Sequence, residues 1–200
     1  MFKIVKITKD NCDNKELKEL YESSFPIEER MPYEKFFLPF DSIELDFRAY
    51  YDGDTFIGFF IAYRMKKYSY AAFLAVTEKL RGRGYGLKIV LDILEKSKTD
   101  IPLLGEVESP DQKDAPNLEI RKRRLAFYLR NGVVDTGIHL THNGVEYTIV
   151  TTTKEPIPQE DLDEIVDILK PLNDAFPLIE KWGNLAFPIL DYSYLYNIIK

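Results

Sequence analysis

"LAVTEKLRGRGYGLKIVLDIL", residues 74–94, decides the fold, because it joins an apolar strand to an amphipathic helix through a short basic turn. The turn, residues 81–86, holds three glycines and two arginines. The first backbone amides of a helix have no partner within the helix and carry partial positive charge. Glycine lets an anion approach such amides, and a guanidinium matches the geometry of a phosphate. The segment therefore indicates an anion site, and a pyrophosphate suits it best.

The turn matches neither of two familiar nucleotide-binding motifs. The P-loop pattern is absent, and the dinucleotide fingerprint fails because no glycine follows Gly84 by three residues. An RGG-type RNA-binding segment is usually repeated and disordered, whereas this one is single and lies between structured elements. On the local pattern alone, a turn that uses glycine for geometry and arginine for solubility remains an equal alternative.

Elements on both sides of this segment alternate between strands and helices. A hairpin is predicted around Gly53, a second one at Asn143 and Gly144, and a helix that closes at Gly132. The predicted order, β-α-α-β-β-β-α-β-α-β-β, is that of an α/β (α+β) protein with a mixed central sheet flanked by helices. A parallel β-α-β crossover is expected over residues 70–107. The buried face of its helix is predicted to be Leu87, Val90, Leu91 and Leu94.

Composition narrows the class of protein. The 200 residues are 45% hydrophobic and 14% aromatic, which is typical of one globular core with a small appendage. The net charge of -6 argues against a nucleic-acid-binding surface. No apolar run approaches the roughly 20 residues of a membrane helix, and no signal peptide is recognisable. The single cysteine, Cys12, excludes an intrachain disulfide, which suits a reducing compartment. Together with the lack of a long apolar run, this predicts a cytoplasmic protein without membrane partners.

The composition of the sequence changes after about residue 153. The remaining segment contains five prolines, one amphipathic helical pattern around residues 159–169 and an aromatic tail. We therefore predict two parts, a main domain over residues 1–152 and a C-terminal extension over residues 153–200. The extension is expected to bury its aromatic residues on the main domain or on a partner, and a homodimer is one arrangement that would do so.

Two stretches resemble the signatures of the GNAT superfamily of N-acyltransferases, in particular its bacterial acetyltransferases. "LAVTEKLRGRGYG" resembles the acyl-CoA-binding signature, with Arg81, Gly84 and Gly86 at its fixed positions. "AFYLRNGVVDTG" resembles the second signature, a helix that carries a tyrosine, here Tyr128, followed by Gly132 and a hydrophobic strand. "SFPIEERMPYEKF" is similar to the acceptor-side entry loop of some bacterial members. The resemblance covers about residues 3–152.

The resemblance implies a sheet that splays where the strands "YAAFLAV" and "LLGEVE" diverge, with acetyl-CoA as co-substrate in the opening and no metal. The pantetheine arm is expected to pair with the backbone of Leu74, Ala75 and Val76. The pyrophosphate is expected on the amides that follow Arg81. The full set of expected CoA contacts beyond the strand is Arg81, Gly82, Arg83, Gly84, Tyr85, Gly86, Leu87 and Asn131.

The resemblance also implies direct acyl transfer to an amine. Tyr128 matches the family position that donates to the leaving thiolate. Many members place a glutamate on the strand before the acyl-CoA signature, and this chain departs from that pattern. Glu106 and Glu108 share one face of the next strand by period-two alternation, so either could be the base or orient the acceptor, or both could simply face solvent.

Other charged residues leave alternatives open. Glu28 and Glu29 could bind a cationic acceptor, or could be solvated loop residues. Members often carry an asparagine where this chain has Arg121. Arg121, Arg123 or Arg124 could meet the 3'-phosphate or the acceptor, with a solvated helix face as the favoured alternative.

The function implied is an acetyl-CoA-dependent N-acetyltransferase that acts on a small amine or amino sugar. Acetylation of a protein N-terminus or lysine is the alternative within the same class. A non-catalytic CoA-binding sensor is the alternative from another class, because the strand glutamate is missing. An RNA-binding role for the Arg-Gly segment is disfavoured by the net charge of -6.

Overall fold

The computed structural model describes residues 2–25, 27, 30–39, 43–142 and 145–163. Over these ranges the order of elements confirms the predicted one, except that the second predicted helix is a short 3₁₀ helix, Tyr33–Phe37. The α-helices are α1 (Lys15–Ser24), α2 (Tyr85–Thr99) and α3 (Leu118–Arg130). The strands are β1 (Phe2–Lys6), β2 (Glu44–Asp52), β3 (Thr55–Arg64), β4 (Ser69–Val76), β5 (Leu103–Glu108), β6 (Val134–His142) and β7 (Val145–Thr151).

The seven strands form one mixed sheet in the order β1-β2-β3-β4-β5-β7-β6. β4 and β5 run parallel and are joined through α2, as the crossover prediction requires, and the other neighbours are antiparallel. β4 and β5 pair at only three positions, from Ser69 opposite Leu103 to Ala71 opposite Gly105. Beyond these positions the two strands separate, which confirms the predicted splay.

Two apolar cores cover opposite faces of the sheet. Successive residues of β3 alternate between them: Phe59 and Ile61 belong to one core, and Phe60 belongs to the other. This alternation follows from the period-two geometry of a strand. The first core packs against α1, through residues such as Tyr21, and the second packs against α2, through residues such as Ile89.

The buried face of α2 differs from the prediction. Ile89, Val90 and Ile93 are buried, whereas Leu91 is 49% exposed. The helix carries two overlapping apolar stripes, and its local pattern does not distinguish between them. Packing against the sheet selects the stripe with the two isoleucines, so the sequence-based choice of Leu91 was wrong.

Local turn predictions hold where the structure describes them. Gly53 has a φ of 58° in the turn between β2 and β3, and Gly132 has a φ of 99° after the end of α3. β6 and β7 form the second predicted hairpin, and its Asn143-Gly144 turn lies outside the described residues. No helix in the described ranges is both long and apolar enough to cross a membrane.

Only the beginning of the C-terminal extension is described, up to residue 163. Asp161 accepts hydrogen bonds from Lys67 Nζ at 2.5 Å and from the Tyr68 hydroxyl at 2.8 Å. These contacts fasten the start of the extension to the turn between β3 and β4. The boundary at residue 153 stays a prediction, and residues 164–200 lie outside the described part.

Candidate active site

The gap between β4 and β5 opens into a cleft with a volume of about 740 Å³. Its lining includes members of both apolar cores, so the cleft passes from one face of the sheet to the other. The α2-side half is lined by residues such as Phe60, Leu74, Val76, Ile93 and Leu103. The α1-side half is lined by Ser24, Phe25, Tyr70, Phe73, Glu106 and Tyr147.

The unpaired edge of β4 forms one wall of the α2-side half. Leu74, Ala75 and Val76 pair with β3 on one side, and within the described residues they have no strand partner on the side of β5. A free strand edge of this kind offers backbone donors and acceptors to an extended ligand. The three residues expected from the sequence therefore lie where a pantetheine arm could pair with them.

Gly58 of β3 brings this wall into position and was missed by the sequence reasoning. A Cβ atom at Gly58 would lie 2.1 Å from the carbonyl oxygen of Ala75, so no other residue fits without moving the strand. Glycine inside a strand pattern is the signal that could have revealed this close backbone approach.

The glycine-rich turn ends at the N-terminus of α2. Gly82 and Gly84 have φ values of 76° and 81°, in the left-handed region that glycine tolerates best. Among the described residues, no acceptor is found for the amides of Tyr85, Gly86 and Leu87. The turn therefore presents free amides at a helix N-terminus, which is the arrangement that suits an anion.

The side chains of the turn have distinct environments. Arg81 lines the cleft and its Nε donates to the carbonyl oxygen of Val76 at 3.1 Å, which ties the turn to the end of β4. Arg83 is exposed. The Tyr85 hydroxyl donates to Asp52 at 2.9 Å, so this side chain anchors α2 and only its amide is available for a ligand. Free amides with adjacent guanidinium groups fit a bound pyrophosphate.

Asn131 lies apart from this arrangement. It follows the last residue of α3, and its side-chain amide donates to the carbonyl oxygen of Phe127 at 2.6 Å. It is not among the residues that line the cleft. Its CoA contact therefore stays a prediction, whereas its role at the helix end is visible.

Glu106 is the carboxylate of the α1-side half. The Tyr70 hydroxyl donates to Glu106 Oε1, while Oε2 is buried and has no hydrogen-bond partner among the described residues. Burial raises the pKa of Glu106 to about 8, against the opposing effect of the Tyr70 hydrogen bond. A carboxyl group with this pKa can take up and release a proton near neutral pH.

Glu108, two residues further along β5, is bound by cationic partners. It accepts from Arg124 Nη1 at 2.7 Å, and Arg121 Nη2 lies 3.2 Å from its Oε1. Asn117 Nδ2 also donates to both of its oxygens, at 3.3 and 3.4 Å. The two carboxylates predicted as alternatives thus have different environments, and Glu108 serves to hold β5 against α3.

Arg121 is buried, at 3% exposure, so the favoured sequence interpretation of a solvated position was wrong for this residue. Its guanidinium donates to Asn117 at 2.7 Å, to Gln112 at 2.8 Å and to the Ser109 carbonyl at 3.3 Å. These bonds fasten the loop between β5 and α3. The Arg121 side chain therefore stabilises the loop that joins β5 to α3, and its guanidinium is already hydrogen-bonded to protein groups.

Tyr128 projects from α3 into the lining of the cleft. Burial raises the pKa of its hydroxyl, and the positive charge of Arg124, one turn earlier, works in the opposite direction. The hydroxyl therefore stays protonated at neutral pH and is available as a proton or hydrogen-bond donor.

The sequence reasoning missed the aromatic and hydroxyl groups of the α1-side half. Ser24 and Phe25 come from the end of α1, Phe73 from β4 and Tyr147 from β7. No local motif marks them, because each lies on an element that is far from the others in the sequence. The predicted acceptor residues Glu28 and Glu29 lie outside the described residues.

Comparison with known proteins shows which family and which solved structures this chain resembles. A family model described as the acetyltransferase (GNAT) family matches residues 14–118, just over half of the chain. Among curated proteins, none matches.

Solved structures share the fold at low sequence identity. A protein from Bacteroides thetaiotaomicron, assigned to the GNAT family of acetyltransferases, is 21% identical with a TM-score of 0.67, over 86% of this chain and 97% of that one. An aminoglycoside 6'-N-acetyltransferase complexed with coenzyme A is 18% identical with a TM-score of 0.58, over 78% and 99% of the two chains. The ribosomal-protein-S18-alanine N-acetyltransferase of Escherichia coli is 12% identical with a TM-score of 0.53, over 80% and 97%.

Proposed function

This chain belongs to the GNAT family of acetyltransferases, and from that membership we propose that it transfers an acetyl group from acetyl-CoA to the primary amine of a small molecule. One observation carries the proposal: Arg81 in the lining of the cleft between β4 and β5 begins the turn that presents free helix amides, and a buried, unpaired carboxyl oxygen lies inside the same cleft. The first feature suits the phosphates of CoA, and the second suits an amine that must lose a proton.

The α2-side half is the proposed site of acetyl-CoA. The free edge of β4 at residues 74–76 would bind the pantetheine amides, and the amides at residues 84–87 would bind the pyrophosphate. Arg81 and Arg83 would add positive charge beside the phosphates. Two of the structures with this fold were solved with CoA, which supports CoA binding by this chain.

Glu106 is the proposed general base. A neutral amine attacks the thioester carbonyl carbon through its lone pair, and its nitrogen must then give up a proton as the new C–N bond forms. Glu106 Oε2 is a buried acceptor in the cleft that could take this proton. Since a pKa of about 8 leaves the group largely protonated at neutral pH, the rate should rise as pH rises through that value.

Tyr128 is the proposed donor to the leaving sulfur. When the C–S bond breaks, the thiolate gains from a neighbouring hydroxyl that can protonate it or hydrogen-bond to it. Tyr128 lies in the cleft with its hydroxyl protonated, and Arg124 adds positive charge nearby. The acetyl group thus moves from sulfur to nitrogen, while one proton leaves the amine and one reaches the thiolate.

Calorimetry with acetyl-CoA, followed by measurement of free thiol with a panel of amines on the same sample, tests the proposal. Binding together with amine-dependent thiol release is the expected result. Binding without release for any amine or peptide would support a CoA sensor. Release with peptides alone would support a protein acetyltransferase, and absence of binding would overturn the placement of CoA.

A further inference from the structure

The α1-side half of the cleft contains buried polar atoms that lack a partner. Across the described residues, three buried side-chain atoms have no hydrogen bond: Ser24 Oγ, Arg30 Nε and Glu106 Oε2. Ser24 and Glu106 both line the cleft, and Arg30 does not. Because an unpaired buried polar group is unfavourable, a ligand that forms a hydrogen bond with such a group gains affinity. Each of these two atoms therefore marks a position where a polar group of a ligand belongs.

The surroundings of these two atoms are aromatic. Phe25, Tyr70, Phe73 and Tyr147 line the same half of the cleft. Phe25 and Phe73 pack edge to face, with ring centroids 4.9 Å apart. The Tyr70 hydroxyl is already bound to Glu106 Oε1. Rings of this kind favour an apolar skeleton and offer few partners for additional hydroxyl groups.

The charges of the cleft also disfavour a polycation. Arg124 and Glu108 both line the cleft, but they are paired with each other at 2.7 Å. That leaves Glu106 as the carboxyl group of the α1-side half among the described residues, and it supplies at most one negative charge. A ligand with several ammonium groups would therefore find little compensating negative charge among the described residues.

We infer that the α1-side half binds a compact, apolar primary amine with an aromatic or branched aliphatic skeleton, and that Ser24 Oγ and Oε2 of the ionised Glu106 accept its two N–H groups. A neutral primary amine has two N–H donors and one lone pair, so two acceptors leave the lone pair free to attack. The skeleton packs against Phe25 and Phe73. This inference rests on the proposed acetyl transfer and narrows its substrate class, to the disadvantage of amino sugars and polyamines.

The first experiment compares four amines with the protein saturated with CoA. Binding of 2-phenylethylamine, 3-methylbutylamine, glucosamine and spermidine is measured by calorimetry, and kcat/KM is then measured with acetyl-CoA. We expect kcat/KM for 2-phenylethylamine to exceed that for glucosamine by about a hundred-fold, since each buried hydroxyl without a partner costs roughly ten-fold. Faster reaction with glucosamine or spermidine would overturn the substrate class and leave the acetyl transfer intact.

Binding and turnover separate the two proposals. If 2-phenylethylamine binds but no thiol is released, the amine subsite stands and the proposed transfer fails. If neither apolar amine binds, the subsite is overturned whether or not another acceptor is acetylated.

A matched pair of serine variants tests the role of Ser24. Ser23 Oγ donates to the Leu20 carbonyl at 3.2 Å and does not line the cleft, whereas the neighbouring Ser24 Oγ is unpaired. We expect Ser24→Ala to raise KM for 2-phenylethylamine about five-fold, the effect of one hydrogen bond, without lowering the melting temperature of the free protein. Ser23→Ala should leave KM unchanged. An unchanged KM in Ser24→Ala, or a fall in melting temperature that accounts for it, would defeat the assignment.

Discussion

The α2-side half and the α1-side half of the cleft meet at the gap between β4 and β5, yet they are built differently. The α2-side half presents main-chain groups, namely the edge of β4 and the amides at the start of α2. The α1-side half presents side chains from α1, β4, β5 and β7. Backbone groups recognise a ligand that is common to a whole family, whereas side chains distinguish one acceptor from another. We therefore expect the proposed cofactor site to depend on the backbone and the proposed acceptor site to depend on side chains.

A similar contrast appears within β5, between Glu106 and Glu108. Both carboxylates line the cleft and project from the same face of the strand. Glu108 is held by two arginines and an asparagine, while one oxygen of Glu106 has no partner among the described residues. Environment rather than residue type thus separates a structural carboxylate from a candidate base.

Gly84→Glu should have the largest effect and would test whether the α2-side half depends on its backbone. The substitution places a negative charge at the proposed pyrophosphate position, and two like charges about 4 Å apart repel by about 4 kcal/mol near a protein surface. We expect acetyl-CoA affinity, measured by calorimetry, to fall by more than about a hundred-fold. Gly53→Glu is a matched control, since Gly53 also has a positive φ, of 58°, but lies in the hairpin turn between β2 and β3. Retained affinity in Gly84→Glu would contradict the placement.

Glu106→Gln, compared with Glu108→Gln, tests the contrast within β5. Loss of a general base typically lowers the rate by about a hundred-fold or more, so we expect that fall in kcat for Glu106→Gln. The rise of kcat/KM with pH through about 8 should disappear in the same variant. Glu108→Gln should change kcat by less than about five-fold, because its carboxylate is bound to arginines. A reversed order of effects would exchange the roles of the two residues.

Tyr128→Phe should have a smaller effect, a fall in kcat of about ten-fold, because solvent can replace a phenol as donor to the thiolate. The substitution keeps the ring, so acetyl-CoA affinity should be retained in calorimetry. Phe127→Leu is the control, since Phe127 packs beside Tyr128 with ring centroids 5.4 Å apart and does not line the cleft. Equal kcat values for Tyr128→Phe and the unmodified protein would remove Tyr128 from the mechanism.

The last expected effect is on stability rather than on activity, and it comes from the same buried carboxyl group. The pKa of Glu106 is about 8 in the folded protein against an ordinary value of 4.5. Between these values the folded state keeps a proton that the unfolded state has released, so stability falls as pH rises across this window. Glu106→Gln removes that titration, and its melting temperature relative to the unmodified protein should rise by about ten degrees from about pH 5 to about pH 9.

Glu108→Gln serves as the control for this measurement, because loss of its arginine contacts should lower the melting temperature at both pH values. A temperature difference for Glu106→Gln that does not change with pH would show that the carboxyl group is not buried in the way described.

Much of the fold could be predicted because it depends on neighbours in the sequence. The hairpin at Gly53, the end of α3 at Gly132 and the glycine-rich start of α2 are local, and one or two residues specify each. The crossover and the splay between β4 and β5 came from the order of elements together with the family resemblance. The buried face of α2 was wrong, because two apolar stripes overlap on that helix and only contact with the sheet selects one of them.

The sequence alone was thus sufficient to predict the element order, a candidate anion-binding turn and two carboxylates that could serve as base. Only the tertiary structure gave Glu106 and Glu108 their different environments. It also packed Arg121 against the loop after β5 and brought Ser24 and Phe25 to the same cleft. The physical reason is that burial and hydrogen-bond partners depend on residues far apart along the chain. A helix start can be recognised from a few neighbouring residues, whereas the proton affinity of a side chain depends on everything that packs around it.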